Sequence, residues 1–170
     1  MLKNLTAKRQ KKSNNKGFSL VELIVVIAIM AVLVGVLAPT LIKNVEKSRE
    51  SKDVQNLAEI QRAIVTAMAN ESAYDKIGGG GTFTVTTDGN GLTGTPNGTG
   101  ATALTSTDAF NKEFLSILKP AAMVSKSVKN QTITARITAD GTVTVGVYKD
   151  GESVSGNAIS SSSGVIFEAK

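Results

Sequence analysis

One carboxylate stands alone near the start of a long apolar run. Residues 18–42 are almost wholly apolar, and Glu22 is the one charged side chain among them. A charge at the centre of a bilayer costs up to about 3 kcal/mol, so an acid in such a segment needs a cationic partner. We therefore interpret Glu22 as a functional residue. The alternative is a solvated acid at the level of the lipid headgroups, favoured there by the helix dipole.

Histidine and cysteine are absent from the 170 residues. This composition excludes thiolate nucleophiles, disulfides, thiol or imidazole metal ligands and histidine general bases. Some acids fall in predicted turns, where turn chemistry accounts for them at least as well as calcium ligation does. These acids are Asp88, Asp140, Asp150 and Glu152. We expect that the protein is not an enzyme, with no catalytic residue, no cofactor and no assigned metal site.

Positive charge is concentrated at the amino end. Six of the 19 Lys and Arg residues lie in residues 1–17, which contain no acid, and this leaves 13 basic against 14 acidic side chains in the rest of the chain. A cationic arm before an apolar helix holds the amino end in the cytoplasm by the positive-inside rule. The asymmetry favours membrane orientation over a basic face on a folded domain, so nucleic-acid binding is not expected as the main role.

The apolar run predicts a helix that positions Glu22. At 1.5 Å per residue, residues 18–42 would span about 37 Å, which is enough to cross a bilayer. Residues 43–77 continue this helix without a strong breaker, and their apolar side chains recur at helical spacing. The apolar stripe consists of Val54, Leu57, Ile60 or Gln61, Ile64, Ala67 and Met68. The opposite side predicts an exposed polar face of Glu50, Lys52, Asp53, Glu59 and Arg62.

Four consecutive glycines, Gly78–Gly81, predict the end of this helix, because glycine is costly in a regular element and readily adopts positive φ. The chain beyond them predicts mixed elements. These are a strand at Thr82–Thr87, an exposed loop at Asp88–Gly100, and a short amphipathic helix at Thr107–Lys119 with Thr107 as its N-cap and Pro120 as its terminator.

The last third of the chain is β in character. Its predicted strands are Thr132–Thr138, Thr142–Tyr148 and, near the carboxyl end, Val165–Phe167. The Asp-Gly pair at Asp140 is a strong hairpin signal, and a second pair at Asp150 turns the chain again. We expect a three- or four-stranded antiparallel sheet whose apolar face is covered by the amphipathic half of the long helix. The predicted fold class is α+β.

The residues around Glu22 form a further pattern. Gly17 precedes Phe18, and Glu22 and Pro39 come fifth and twenty-second when Phe18 is counted as the first residue. With the basic arm, this arrangement resembles the class III signal of type IV pilins and pseudopilins. In that family a basic leader ends in glycine, the mature protein starts with phenylalanine or methionine, and its fifth residue is glutamate. The resemblance implies a pilin-like fold, with the long helix packed on the sheet.

The resemblance also implies a processing pathway. The prepilin peptidase would cut between Gly17 and Phe18, the new amino group of Phe18 would be methylated, and that group would pair with Glu22 in the same chain or in a neighbour. An ordinary secretory signal is cut after its apolar run, whereas this site precedes the run and the helix is retained. Cleavage therefore supplies the cation that Glu22 lacks.

Gly35 and Pro39 are four residues apart in the apolar run. Proline removes the hydrogen bond that would reach the Gly35 carbonyl, so we expect a kink or local melting there. The resemblance implies that this region loses helicity in filaments. Ala31 stands where many family members have glycine, which is a departure from the pattern. The alternative is a membrane-helix kink without a role in assembly.

The predicted organisation has four parts: a removed leader at 1–17, a transmembrane and filament-core helix at 18–42, its amphipathic continuation at 43–77 and a globular region at 78–170. The resemblance implies a structural subunit of a type IV pilus. Before assembly it would be a single-pass protein of the cytoplasmic membrane with its amino end in the cytoplasm, and afterwards part of an extracellular filament. The implied partners are the prepilin peptidase, identical or related subunits and the pilus assembly platform.

Three other functions stay open at this point. A pseudopilin of a type II secretion system and a competence pilin carry the same signal, and a competence pilin would have nucleic acid as a partner. A membrane-anchored binding protein that does not assemble belongs to a different class. It needs the apolar helix but not Gly17, Glu22 or cleavage.

Overall fold

The structure, a computed structural model, describes most of the chain after the leader. The predicted leader residues 1–16, the second Asp-Gly pair and Val165 lie outside the described residues. The chain divides into two units, Met1–Leu41 and Ile42–Lys170. The described residues are 17–77, 79–98, 101–148, 158–159 and 166–169.

The first helix, α1, runs from Leu20 to Met68 over 49 residues. The prediction that one helix continues to residue 77 is wrong in detail, because a second helix, α2, occupies Glu71–Ile77. Asn70 separates the two helices. Its side-chain oxygen accepts hydrogen bonds from the backbone N–H of Ser72 at 3.1 Å and from the Ser72 hydroxyl at 2.7 Å. Asn competes for backbone groups in this way and so favours helix starts over helix interiors.

The predicted stop at the glycines is confirmed, since α2 ends at Ile77 and a strand begins at Gly81. Gly80 has a φ of +69°, and a Cβ placed on it would lie 2.4 Å from the carbonyl oxygen of Ile137. Glycine is therefore required at this position both by backbone conformation and by the close approach of the neighbouring strand.

The sheet is antiparallel and, within the described residues, has five strands in the order β2-β1-β3-β4-β5. The strands are β1 Gly81–Val85, β2 Leu92–Thr93, β3 Ile133–Ile137, β4 Val143–Val147 and β5 Glu168–Ala169. The hairpin predicted at Asp140 joins β3 to β4, with Gly141 at a φ of +87°. The two short edge strands raise the count above the predicted three or four.

Strand β2 lies in the segment predicted as a loop, and a side chain explains it. The amide of Asn111 accepts the backbone N–H of Leu92 at 2.8 Å and donates to the Leu92 carbonyl at 2.8 Å. It also donates to the carbonyl oxygen of Thr105 at 2.8 Å. Asn111 is fully buried and satisfies both backbone groups of Leu92 as a neighbouring strand would.

The last strand pairs with β4 through Glu168 and Ala169, which are the two residues that directly follow the predicted strand Val165–Phe167. Phe167 itself is buried in the core and accepts the backbone N–H of Val147 at 3.0 Å. The Tyr148 hydroxyl donates to Glu168 at 2.8 Å, and burial raises the pKa of Tyr148 above its usual value. These contacts fix the carboxyl end of the chain against β4.

Helix α3 occupies Ala109–Ile117, shorter than predicted at both ends. Its N-cap residue is Asp108 and not Thr107. The carboxylate of Asp108 points back to the preceding turn and accepts the backbone N–H of Thr105 at 2.6 Å, which holds the pKa of Asp108 below its usual value. The rings of Phe110 and Phe114 stack with centroids 6.3 Å apart and are fully buried.

The core forms between the sheet and the second half of α1, residues 42–68. Side chains of α1 bury one stripe, and β1 and β3 bury alternate residues, as a half-buried sheet face requires. The largest buried members include Leu57, Ile60, Ile64, Phe83, Phe110, Phe114 and Phe167. Gln61 donates to the Val143 carbonyl at 3.3 Å, so Ile60 holds the apolar position and Gln61 reaches the sheet. The predicted α+β fold is confirmed.

Two members of the predicted exposed face, Glu50 and Asp53, are buried, with 1% and 2% of their surface exposed. Asp53 accepts the backbone N–H groups of Val124 and Ser125, the latter at 2.8 Å. About two helical turns before Asp53, Glu46 accepts the backbone N–H of Lys126. We call these contacts of Glu46 and Asp53 with the backbone of residues 124–126 the carboxylate clasp. For Asp53 the predicted polar face is wrong because its carboxylate is an acceptor for the backbone of a distant loop, whereas Glu50 is buried with one carboxylate oxygen, Oε2, lacking a hydrogen-bond partner among the described residues.

We predict that Asp53→Asn lowers the free energy of unfolding by about 1–3 kcal/mol. The amide oxygen can take the place of Oδ2, which accepts both backbone N–H groups, but both bonds then lose the charge of the acceptor, and the amide N–H₂ group faces the Val124 N–H where Oδ1 had accepted it. Urea unfolding of the full chain in detergent micelles, followed by tyrosine fluorescence, measures the change. Asp75→Asn, on the exposed face of α2, is the matched control and should shift stability by less than about 0.5 kcal/mol. Equal stabilities for the two variants would contradict the assignment.

Candidate functional site

The predicted cleavage site lies immediately before α1. Gly17, Phe18 and Ser19 precede the helix and are not part of any regular element, and Phe18 is 89% exposed. A Cβ built on Gly17 would meet no atom within 4 Å. The fold therefore does not require glycine at this position. A requirement for glycine must come from outside the chain, as it does when an enzyme draws the backbone into its active site.

Ser19 and Glu22 form a reciprocal cap at the start of α1. The Ser19 hydroxyl accepts the backbone N–H of Val21 at 3.3 Å, and the Glu22 carboxylate accepts the backbone N–H of Ser19 at 2.9 Å. The backbone N–H of Leu23 donates to the Ser19 carbonyl at 3.2 Å, the first hydrogen bond of the helix. This is a form of the capping box in which the hydroxyl accepts the N–H of the second helical residue instead of the third, and it satisfies two N–H groups that the helix leaves without partners.

The role of Ser19 was missed in the sequence. The signal was present, because a serine followed three residues later by glutamate ahead of an apolar run is the sequence signature of a capping box. The position of Glu22 in an apolar segment predicts a cationic partner for its carboxylate. In the uncut chain it has a neutral partner instead, its own Ser19 N–H. The structure thus brings Glu22 to within one residue of Phe18, and the charge pair between Phe18 and Glu22 stays a prediction.

The first half of α1 is apolar around its whole circumference. Its large side chains are exposed on every side, which distinguishes it from the one-sided stripe of residues 42–68. Within the described residues, α1 is the one helix long and apolar enough to cross a membrane, and no part of its most apolar stretch is buried in the structure. Such a surface requires lipid or other apolar helices around it.

Gly35 and Pro39 both lie inside this apolar half. The structure places Pro39 within α1, and a Cβ on Gly35 would meet no atom within 4 Å. Proline has no N–H to donate toward the carbonyl four residues earlier, which belongs to Gly35. Neither residue is explained by packing within the unit that ends at Leu41. The predicted kink or local melting at this pair stays a prediction.

The acids predicted at turns serve those turns. The backbone N–H of Asn90 donates to Asp88, and this bond is the main reason that the pKa of Asp88 is lowered. Asp140 accepts the Thr138 hydroxyl and the Thr142 N–H, and the first of these bonds is the main cause of its lowered pKa. Asp150 and Glu152 lie outside the described residues. Among the described residues, no group of three or more acids could hold a metal ion.

Comparison with known proteins identifies the amino-terminal signal. Residues 12–38 match the family model of the prokaryotic N-terminal methylation motif. The chain is also similar to the protein named prepilin peptidase-dependent protein A from Clostridium perfringens, with 34% identity over 67 residues. Those residues make up 39% of this chain and 48% of the relative, so the match spans about half of the relative's length. No solved structure matches the chain.

The match confirms the predicted resemblance for the segment that contains Gly17, Phe18 and Glu22. The matched model describes a prepilin-type signal for N-terminal methylation, and the name of the relative states that the relative depends on a prepilin peptidase. With the apolar first half of α1, the motif indicates membrane anchoring before assembly.

We predict that Pro39→Ala slows amide hydrogen exchange in residues 36–41. An interior proline costs a helix about 3 kcal/mol, so restoring the missing hydrogen bond to Gly35 should slow local exchange by up to on the order of 100-fold. The measurement uses the full chain in detergent micelles. Thr40→Ala, an exposed neighbour in the same helix, is the control and should change exchange by a few-fold at most. Unchanged protection in Pro39→Ala would show that the proline does not weaken α1.

Proposed function

We propose that the chain is the precursor of a structural subunit of a type IV pilus. One observation carries the proposal: an exposed Gly17–Phe18 junction directly precedes a helix that is apolar all round and has Glu22 in its first turn. This junction lies within the methylation motif at residues 12–38. The prepilin peptidase cuts the junction, the amino group of Phe18 is methylated, and the subunit then enters a helical surface filament.

Charge supports the orientation in the membrane. The leader has six cations and no acid, which keeps the amino end in the cytoplasm and delivers residues 78–170 to the outer side. Cutting before Phe18 removes those cations and retains the apolar helix. The anchor of the precursor and the core of the filament are thus the same segment, residues 18–42.

The charge of Glu22 supports assembly by pairing. Its carboxylate lies 2.9 Å from the Ser19 nitrogen, directed back toward the end of the helix where cleavage creates a cation. A free amino group on Phe18 is charged and is a stronger hydrogen-bond donor than a neutral amide. In an apolar surrounding, an unpaired carboxylate is costly, so each Glu22 that enters the filament core needs such an amino group, its own or that of a neighbour.

The apolar surface of α1 supports the filament core. The large apolar side chains between Leu20 and Leu41 are exposed in the single chain, so lipid contacts must be replaced by helix contacts on assembly. Association of this kind depends on close packing and polar pairs more than on the expulsion of water. Gly35 provides a site where a second helix backbone approaches without meeting a side chain.

Mass spectrometry of the native protein tests the processing step. We expect a mature species that begins at Phe18 and is heavier by one methyl group. Gly17→Val should leave the fold unchanged, since a side chain there meets nothing, yet it should block cleavage because the peptidase requires glycine. An intact leader on the wild-type chain in cells with an active prepilin peptidase would contradict the proposed function.

Glu22→Gln tests the assembly step. The amide oxygen of glutamine accepts the Ser19 N–H as the carboxylate does, so leader removal should proceed, whereas the loss of charge should abolish filaments. Electron microscopy of sheared surface material measures the outcome. Glu71→Gln, an exposed acid in the first turn of α2, is the control and should assemble normally. Normal filaments from Glu22→Gln would disprove the pairing, and cut chains of wild type that never form filaments would favour a binding protein that does not assemble.

A further inference from the structure

We propose that Ser19 is a positioning residue for leader cleavage, because it caps α1 and thereby sets where the helix begins relative to the Gly17–Phe18 bond. The inference rests on the proposed function, since it concerns the processing of this junction. It assigns Ser19 a role in processing, before any contact with another subunit.

The capping box fixes the start of α1 through three hydrogen bonds that all involve Ser19. The backbone N–H, the hydroxyl and the carbonyl of Ser19 bond to the Glu22 carboxylate, the Val21 N–H and the Leu23 N–H, respectively. An N-cap residue has a non-helical backbone, so the chain before it leaves the helix axis. Gly17 and Phe18 are consequently held outside the helix, as the structure shows.

No other contact in the described part of the chain secures this junction. Phe18 is 89% exposed, Gly17 has open space around it, and Ser19 is exposed. The segment after Ser19 consists of apolar residues whose helix could begin at more than one position. Without the cap, the first turn loses partners for its N–H groups and frays, and the distance between the helix start and the scissile bond is no longer fixed.

A peptidase that acts at a membrane helix must bind an extended strand on one side and the helix on the other. A substrate whose helix start is fixed has both parts in place before it binds. The peptidase then loses less binding free energy to ordering the residues around the Gly17–Phe18 bond. The two functions of Glu22 then separate by chemistry. Its hydrogen bond to Ser19 serves the uncut precursor, whereas its charge serves the mature subunit.

The test measures initial cleavage rates of the purified full-length chain by prepilin peptidase in detergent micelles. Ser19→Ala should be cut about fivefold more slowly, the factor that corresponds to the ~1 kcal/mol of a typical lost N-cap. Ser19→Asn and Ser19→Thr, which both cap helices, should return to near the wild-type rate. Ser48→Ala, an exposed helical serine far along α1, is the control and should be cut as fast as wild type.

Amide hydrogen exchange at residues 20–23 supplies a second measurement on the same variants. Exchange should be faster in Ser19→Ala than in wild type and should recover in Ser19→Asn. The proposal is overturned by a wild-type cleavage rate in Ser19→Ala. It is equally overturned if Ser19→Asn restores slow exchange but not the rate, because the enzyme then reads the hydroxyl itself. A wild-type chain that the peptidase does not cut contradicts the proposed function, and this inference with it.

Discussion

The main constraint on this protein is that the first half of α1 is apolar on all sides and has no polar face to present to water. A helix that is apolar on every side must be surrounded by lipid or by other helices at each stage of its existence. The charges near its start are arranged accordingly: cations lie before Gly17, and Glu22, the one acid in residues 18–42, accepts a hydrogen bond from the Ser19 N–H. In the function proposed above, the surface that anchors the precursor in the membrane is therefore also the surface through which subunits meet in the filament.

The second half of α1 is amphipathic instead, and its apolar face packs against the sheet. A small sheet of short strands does not hold its own apolar face away from water, and residues such as Leu57, Ile60 and Ile64 supply the cover. Apolar contact alone does not fix how a helix lies along a sheet. The carboxylate clasp adds direction, since Glu46 and Asp53 bind the backbone of consecutive residues in one loop. Both halves of the helix thus use acids as acceptors for backbone N–H groups.

Local sequence patterns predict much of this architecture. The features that they do not predict depend on contacts between residues far apart in the chain. Hydrophobic periodicity gave the long helix and its buried stripe, and the Asp140-Gly141 pair gave the central hairpin. Strand β2 depends on Asn111, 19 residues away from Leu92, and the burial of Asp53 depends on a loop 71 residues away. Neither pairing has a signature in sequence spacing. The capping box at Ser19 differs from these pairings, because a serine followed three residues later by glutamate is a local signature that the sequence alone contains.

The carboxylate clasp binds the backbone of its loop and not the side chains of that loop. The groups that Glu46 and Asp53 hold are amide N–H groups of Val124, Ser125 and Lys126, which every amino acid except proline possesses. Ala121, Ala122, Val124 and Lys126 point their side chains to solvent. Evolution is therefore free to vary the outward chemistry of this loop without loosening its attachment to α1.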